Sequence, residues 1–552
     1  MFLAAKPRLY RFFEMIPGIL TWGTFILAVG LSYYKPFYVA IFIILFDIYW
    51  LLKGINMYTH LFHTRNKMNI HERYNWLERC EKLLSVSDFI EELTVQVAYE
   101  LDRNKIEDLE AEIINLKKID KIDPSLDYKE IYHLVIMPTY KEPEEVLTMS
   151  IESYKKNSFS KDKIILVLAQ EERAGKKSRV LAQKLKQHYE NVFFKFLVIM
   201  HPEGIEGEAK VKGANLTFAC KQTIGLIDEL KIPYDKVIVS SFDADTVVKP
   251  DFFAQLTYTF LTTENRIQSS FQPVMLYNNN VWDMPAINRI ASVSASYWQM
   301  IESSRPDRLR NFSSHSRSLK NLVDVDFWPV DVIPDDSQIF WRCFLHYNGN
   351  YKSVPLFTTL SMDGVLLNSY LNSLSGQYKQ YRRWAWGVTD VPYVMYGFVK
   401  NKMIPTWKKI LYFYQMMEGY YFWSTAPIII AILGWLPLLL GGARFDNRVF
   451  ASNLGLFTGA IMTFAASFLV ISVVVYFIFL PKRPSHRSKF DSVIMGLQWI
   501  ISPFTSIFFT AIPAVDAYTR LMLGKYMEFW VTPKHRRKKD QGQITEPKEL
   551  SN

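Results

Sequence analysis

The sequence predicts an α/β domain, a mostly parallel sheet with helices on both faces, inserted between membrane-spanning helices. Three observations predict it. Apolar residues crowd into the two ends of the 552-residue chain, while the middle reads as an ordinary soluble protein. Within that middle, short β-branched and aromatic runs alternate with helical stretches. Acidic residues follow three of those runs, at the carboxyl ends of strands where ligands bind in such sheets.

Composition excludes several classes. Hydrophobic residues make up 49%, aromatics 15% and charged residues 21%, which is too apolar for disorder, and no short period marks a collagen or a coiled coil. The middle is long enough to bury a large core. Lysine and arginine total 64 against 54 acids. The excess flanks apolar segments: Lys6, Arg8 and Arg11 precede the first, Lys482, Arg483, Arg487 and Lys489 follow a later one, and Lys534, Arg536, Arg537, Lys538 and Lys539 lie in the tail. That placement reads as cytoplasmic anchoring to anionic lipid. No basic run interleaved with aromatics suggests nucleic acid. Cys80, Cys220 and Cys343 are far apart, so neither a zinc site nor a disulfide scaffold is expected, and the thiols fit a reducing cytosol.

In chain order, segment 17–34 carries no charge and is just long enough to span a bilayer. Lys35 and Pro36 separate it from a second run, 37–55, whose one acid is Asp47. An intramembrane acid can be functional, but Asp47 has Tyr49 and Trp50 nearby and reads here as a packed structural group. The two runs form an expected hairpin, 1–59, with the basic N-terminus in the cytoplasm. Segment 60–127 is polar with leucine and isoleucine at spacings of three and four, a helical connector. Strands follow in YHLVIM, KIILVLA, NVFFKFLVIM and DKVIVSSF, with helices at 144–156 and 174–190, within an α/β domain spanning 128–403. Segment 404–419 reads as a helix lying on the membrane surface. Segment 420–481 holds a second hairpin, with spans at about 420–441 and 455–480. In 482–525, the apolar stretch 491–515 contains Pro503 and Pro513, and it reads as a broken helix at the cytoplasmic interface. Residues 526–552 form a basic tail.

Four motifs carry chemistry. Asp243-Ala244-Asp245 follows the fourth strand. Two carboxylates one residue apart offer hard oxygen ligands to Mg²⁺ or Mn²⁺, which commonly shares them with substrate phosphates; a solvated turn would read the same way. Pro334-Asp335-Asp336 precedes a helix over 337–347, where carboxylates serve as caps or as a general base. Gln380, Arg383 and Trp384 stand in QYKQYRRWAWG, with Gln380 and Arg383 on one helix face. Arginine suits a pyrophosphate, and tryptophan a sugar ring; a basic aromatic helix at the membrane surface is the plainer reading. The fourth motif, Phe529-x-Val531-Thr532-x-Lys534, says little by itself. There is no GxGxxG and no P-loop, which argues against dinucleotide dehydrogenases and P-loop kinases.

In this order the motifs resemble the membrane-integrated family 2 glycosyltransferases, which include cellulose, chitin and hyaluronan synthases. The matching residues are PTYKE at 138–142, the Asp-x-Asp, the Asp335-Asp336 pair, QxxRW and FxVTxK, flanked by transmembrane helices over about 15–535. The resemblance implies a GT-A, Rossmann-like cytosolic domain that binds a nucleotide sugar, most simply a UDP-sugar. It assigns Thr139, Tyr140 and Glu142 to the nucleoside, with a second nucleoside-binding acid at Glu171 or Glu172. Lys212 and Asn215 would lie near the diphosphate, and Asp243 and Asp245 would hold sugar diphosphate and metal. Asp336 would be the base, beside Asp335. Gln380 and Arg383 would hold the diphosphate, Trp384 the acceptor sugar, and Thr532 and Lys534 would close over the nucleotide. Asp335 stands where the family usually has Glu, and Pro334 where it has Thr. Cellulose synthases carry further transmembrane helices after the FxVTxK motif, and the 18 residues that follow Lys534 in this sequence are too few and too polar to be expected to form one. The implied activity is inverting transfer to a growing polysaccharide or glycan, in a multi-pass protein of the plasma (inner) membrane with its catalytic domain in the cytoplasm. The rivals are transfer of one sugar to a lipid and an inactive membrane scaffold or transporter.

Overall fold

The structure is a computed structural model that describes residues 7–123, 126–442, 445, 449–485 and 487–533. The chain divides into two compact units. One takes in His60–Leu276 and Ser296–Met362; the other takes in the described parts of Ala5–Thr59, Tyr277–Ala295 and Asp363–Asn552. Segments 277–295 and 363–403, which the sequence groups with the α/β domain, thus belong to the second unit.

The first unit is built on an eight-stranded sheet: β1 (Tyr132–Thr139), β2 (Ile164–Glu171), β3 (Lys195–His201), β4 (Val237–Ser241), β5 (Val247–Val248), β6 (Ser269–Leu276), β7 (His315–Ser318) and β8 (Lys352–Ser361). Their order is β3-β2-β1-β4-β7-β6-β8-β5. β1 pairs in parallel with β2 and with β4, and β2 with β3. These are the four strands read from the apolar runs. Every residue of β2 from Ile164 to Gln170 is buried, the pattern of a strand covered on both faces. The helix Lys212–Glu229 packs on β1, β2 and β3, and Lys176–Tyr189 packs on β2 and β3.

β6 also pairs in parallel with β8, so four of the seven strand pairings are parallel as expected, but the sheet is mixed. β7 runs antiparallel to both β4 and β6, and β5 antiparallel to β8. β7 was hidden because its sequence, HSRS, is polar yet wholly buried. Ser316 and Arg317 find partners inside the sheet, while Arg317 Nε and the His315 ring nitrogens do not. Ser316 and Ser240 hydroxyls meet at 2.7 Å, and the Arg317 guanidinium donates to Asn311 Oδ1 at 2.9 Å. Hydrogen bonding of this kind removes the cost of burying polar groups.

The second unit is helical. Among the described residues, four helices are long and apolar enough to cross a membrane: Arg8–Tyr34, Pro36–His71, Thr458–Phe479 and Lys489–Met522. One expectation changes. The surface helix 404–419 and the span from 420 are one continuous helix, Thr406–Ala431, which bends by 48° into Leu433–Leu440; this pair is one further span only if the bent halves act together. The stretch 491–515, expected at the interface, lies within Lys489–Met522, whose 34 residues suffice to cross. Its prolines act as anticipated on local geometry. Pro503 opens the turn Ser502–Ser506, a π-helical turn occupies Ile507–Ala511, and Pro513 opens the helix Ile512–Met522. All three cysteines are buried free thiols.

Candidate active site

The first unit gathers its charged residues where β4 ends. The chain leaves β4 through Phe242 into the turn Asp243–Thr246, closed by the Thr246 N–H donating to the Asp243 carbonyl at 2.9 Å. The helix Glu144–Lys155 fastens this turn: Ser150 Oγ donates to the Ala244 carbonyl at 2.9 Å and Tyr154 OH to the Thr246 carbonyl at 3.0 Å. Asp245 is fully buried, and Asp243 is half-buried.

Both Asp243 oxygens are engaged. Lys212 Nζ lies 2.6 Å from Oδ1, and Ser313 Oγ donates to Oδ2 at 2.6 Å. Lys212 begins the helix Lys212–Glu229, and Gly213 allows that start to approach closely. A Cβ built on Gly213 would lie 2.2 Å from the Pro329 carbonyl oxygen and 2.9 Å from Asp335 Cβ. Burial works against the Lys212 charge; the Asp243, Asp335 and Asp336 carboxylates outweigh it and hold its pKa above the ordinary lysine value.

Asp335 and Asp336 open the helix Asp335–His346, one residue pair earlier than the sequence suggests. They are treated differently. Asp336 is half-buried, accepting from the Ser313 N–H at 2.5 Å and from its neighbour Ser337 N–H at 2.9 Å. A carboxylate has about four lone-pair sites, so capacity remains for a substrate hydroxyl. Asp335 is buried, with Oδ2 lacking a hydrogen-bond partner. Burial pushes its pKa up to about 7, with Lys212 opposing and Asp336 and Asp243 adding to the rise.

The carboxyl ends of β1 and β2 form an adjoining pocket lined by Thr139, Tyr140, Glu142, Gln170, Ser178 and Leu181. The Tyr140 N–H donates to Glu142 at 2.6 Å. Arg173 lies 5.0 Å from the Tyr140 ring centroid and pairs with Glu171. Glu172 is exposed and accepts from Arg179 at 3.3 Å and from the Glu203 N–H at 3.1 Å. Of the two glutamates, Glu171 is thus the one joined to Tyr140, through Arg173. Asn215 is buried and donates to the Ala169 carbonyl at 2.7 Å, so its amide serves as a tether to the end of β2.

In the second unit, Gln380, Arg383 and Trp384 lie on the helix Tyr370–Ala385. Gln380 is buried, the Arg383 guanidinium stands 5.2 Å from the Phe529 ring, and Trp384 packs against Tyr381 and Tyr277 at 4.9 and 5.8 Å. QxxRW therefore meets the FxVT segment within this unit, and Thr532 is buried. Lys534 lies outside the described residues. Asp516 clamps the same helix: it accepts from Tyr378 at 3.1 Å, from Arg382 at 2.9 Å and from Arg520 at 2.7 Å.

Two of these residues escaped the sequence reading. Asp516 was hidden in an apolar stretch, where a lone acid was itself the signal. Ser313 sits in a polar run, FSSHSRS, that resembles a loop.

The donor chemistry of Asp243 and Asp245 suits part of a Mg²⁺ or Mn²⁺ shell. Asp243 Oδ1 already holds a cation, the Lys212 ammonium. Among the described residues no group of three or more His, Cys, Asp or Glu is gathered for a metal. The two carboxylates thus account for the protein's share only in a site completed by substrate oxygens.

No protein-family model matches the chain, and no curated protein matches it. Several solved structures are similar. One is the mannosyltransferase PcManGT from Pyrobaculum calidifontis in complex with GDP-Man and Mn²⁺, at 11% identity over 68% of this chain and 98% of that one, with a TM-score of 0.34. Another is S. aureus TarS 1-349 in complex with UDP-GlcNAc, at 13% identity over 60% and 88%, with a TM-score of 0.36. A third is GalNAc-T7 with UDP, GalNAc and Mn²⁺, at 11% identity over 59% and 58%, with a TM-score of 0.30. At these values the likeness carries no argument about this chain's chemistry, which rests on the site itself.

Proposed function

We propose that the protein is a membrane-embedded glycosyltransferase that moves a sugar from a nucleotide sugar, in the simplest case a UDP-sugar, to a growing polysaccharide or glycan, with inversion. One observation carries the reading: Lys212, Asp243, Ser313 and Asp336 form a single hydrogen-bonded cluster beyond β4. It sets a cation beside one carboxylate and holds another, Asp336, through backbone amides. The motif order in the sequence supports the same reading.

In this reading Asp336 accepts the proton of the acceptor hydroxyl as that oxygen attacks the anomeric carbon. A single base on the far side of that carbon means direct displacement and an inverted product. The Lys212 ammonium neutralises charge that builds on the departing diphosphate. Asp243 and Asp245 would hold Mg²⁺ or Mn²⁺, which when bound adds Lewis-acid neutralisation of the same leaving group. Thr139, Tyr140 and Glu142 line the pocket that would take the nucleoside, with Glu171 behind them through Arg173. Gln380, Arg383, Trp384, Thr532 and Lys534 keep the roles the motif order implies. The basic residues that flank the apolar helices support a cytoplasmic placement of the α/β domain.

The test is a panel of nucleotide sugars given to purified protein with Mg²⁺ or Mn²⁺, with the product read by NMR. The reading expects one donor to be consumed and the product anomer to be inverted. A retained anomer would overturn the single-base mechanism.

A further inference from the structure

Ser313 touches both ends of the cluster. Its N–H donates to Asp336 Oδ2 at 2.5 Å, its hydroxyl to Asp243 Oδ2 at 2.6 Å, and its carbonyl accepts from Lys212 Nζ at 3.4 Å. It can aim all three groups inward because its backbone is left-handed, with φ +50°. A non-glycine residue adopts that conformation rarely and at a cost, so it persists only where its surroundings enforce it. Here the enforcing group is Gln272 of β6, which is fully buried. Its amide oxygen accepts from the Phe312 N–H at 3.1 Å. Its amide nitrogen donates to the Phe312 carbonyl at 3.3 Å and to the Ser314 carbonyl at 3.2 Å. Gln272 thus grips the backbone on both sides of Ser313. Ser314 adds a further tie, its hydroxyl accepting from the Asp243 N–H at 3.2 Å.

We infer that Ser313 is a positioning residue with two separable jobs: its left-handed amide aims the base Asp336, and its hydroxyl orients Asp243 for the donor. The inference rests on the proposed transfer reaction and deepens it. Only the second job depends on the residue type, because the first belongs to the backbone.

Substitutions separate the two jobs. Ser313→Gly keeps the left-handed backbone and loses only the hydroxyl. It should raise the donor KM about tenfold, the size of a lost hydrogen bond to a charged group, and leave kcat within a few-fold. Ser313→Val is β-branched and cannot hold the left-handed backbone. It should lower kcat on the order of 10²-fold through a misaimed base. Thermal unfolding of both variants identifies a general loss of structure, so recovery of kcat from Val to Gly at similar melting temperatures marks positioning. Wild-type kcat in Ser313→Val, or an equal kcat loss in Ser313→Gly, would overturn the inference. A second readout does not need turnover. Hydrogen exchange of the Ser313 amide should be slow in the wild type and at least about tenfold faster in Asp336→Ala; equal rates would overturn it. If the wild type consumes no donor, the transfer reading has failed, and the exchange experiment still decides whether Ser313 holds Asp336.

Discussion

Gly213→Ala is the smallest change that should disable the cluster without touching a charged group. The added Cβ would fall 2.2 Å from the Pro329 carbonyl oxygen and 2.9 Å from Asp335 Cβ. A carbon and an oxygen normally meet near ~3.5 Å, so the overlap exceeds ~1 Å. The obstacle is backbone, which cannot rotate aside. Either the start of the helix Lys212–Glu229 or the segment 329–335 must move by about that much. Overpacking of this kind costs about 1–3 kcal/mol. The move also separates Lys212 from Asp243 or turns the helix that begins at Asp335, and a displacement of about 1 Å in a reacting group can cost ~10²-fold in rate. The assay pairs thermal unfolding in detergent with donor turnover. A fall of several degrees (about 2–4 °C per kcal/mol for a domain this large) with a ~10²-fold loss of kcat/KM is expected. The control is Gly225→Ala in the same helix, where a Cβ meets nothing within 4 Å; it should be neutral or stabilise by up to ~1 kcal/mol. Gly213→Ala with unchanged unfolding and turnover would refute the close approach on which the site's geometry depends.

Two further outcomes follow from the same structure. The Asp335 carboxyl titrates at about 7 in the folded protein against an ordinary 3.8. Between those values the folded state binds more protons than the unfolded state, so stability falls as pH rises through that window and stays low above it. Asp335→Asn cannot ionise, and its melting temperature should gain on the wild type from pH 4 to pH 7; parallel pH curves would contradict this. Asp516→Ala removes the acceptor shared by Tyr378, Arg382 and Arg520, and turnover should fall about tenfold or more as the QxxRW helix loosens. Asp516→Glu should recover part of that loss, and a turnover equal to wild type in Asp516→Ala would remove the clamp from the account.

The legible part of the fold was its parallel half. Residues 132–137, 163–169 and 235–242 carry apolar, β-branched runs, and the strands β1, β2 and β4 form there because such residues suit a doubly covered sheet. β7 was illegible because His315, Ser316, Arg317 and Ser318 are polar, and only the three-dimensional partners Ser240, Asn311 and Asn321 explain the burial of Ser316 and Arg317. Hydropathy found the apolar segments but not their continuity. Glu418 and Gly419 invite a break there, yet the helix Thr406–Ala431 runs through it. At the site, carboxylates after a buried strand stood out by type, and Lys212 by the motif around it. Ser313 did not, because its contribution comes from a backbone angle, and Gly213 did not, because its value is an absent side chain.

The central claim is that Asp336 is the base of a sugar-transfer reaction. The most direct measurement is nucleoside diphosphate release by the purified protein with its preferred donor, wild type beside Asp336→Asn. Asparagine keeps an oxygen to accept the Ser313 amide but cannot take up the acceptor's proton. The account predicts release by the wild type and a loss on the order of 10²–10⁴-fold in the variant, with donor affinity little changed. Equal release by both would contradict it.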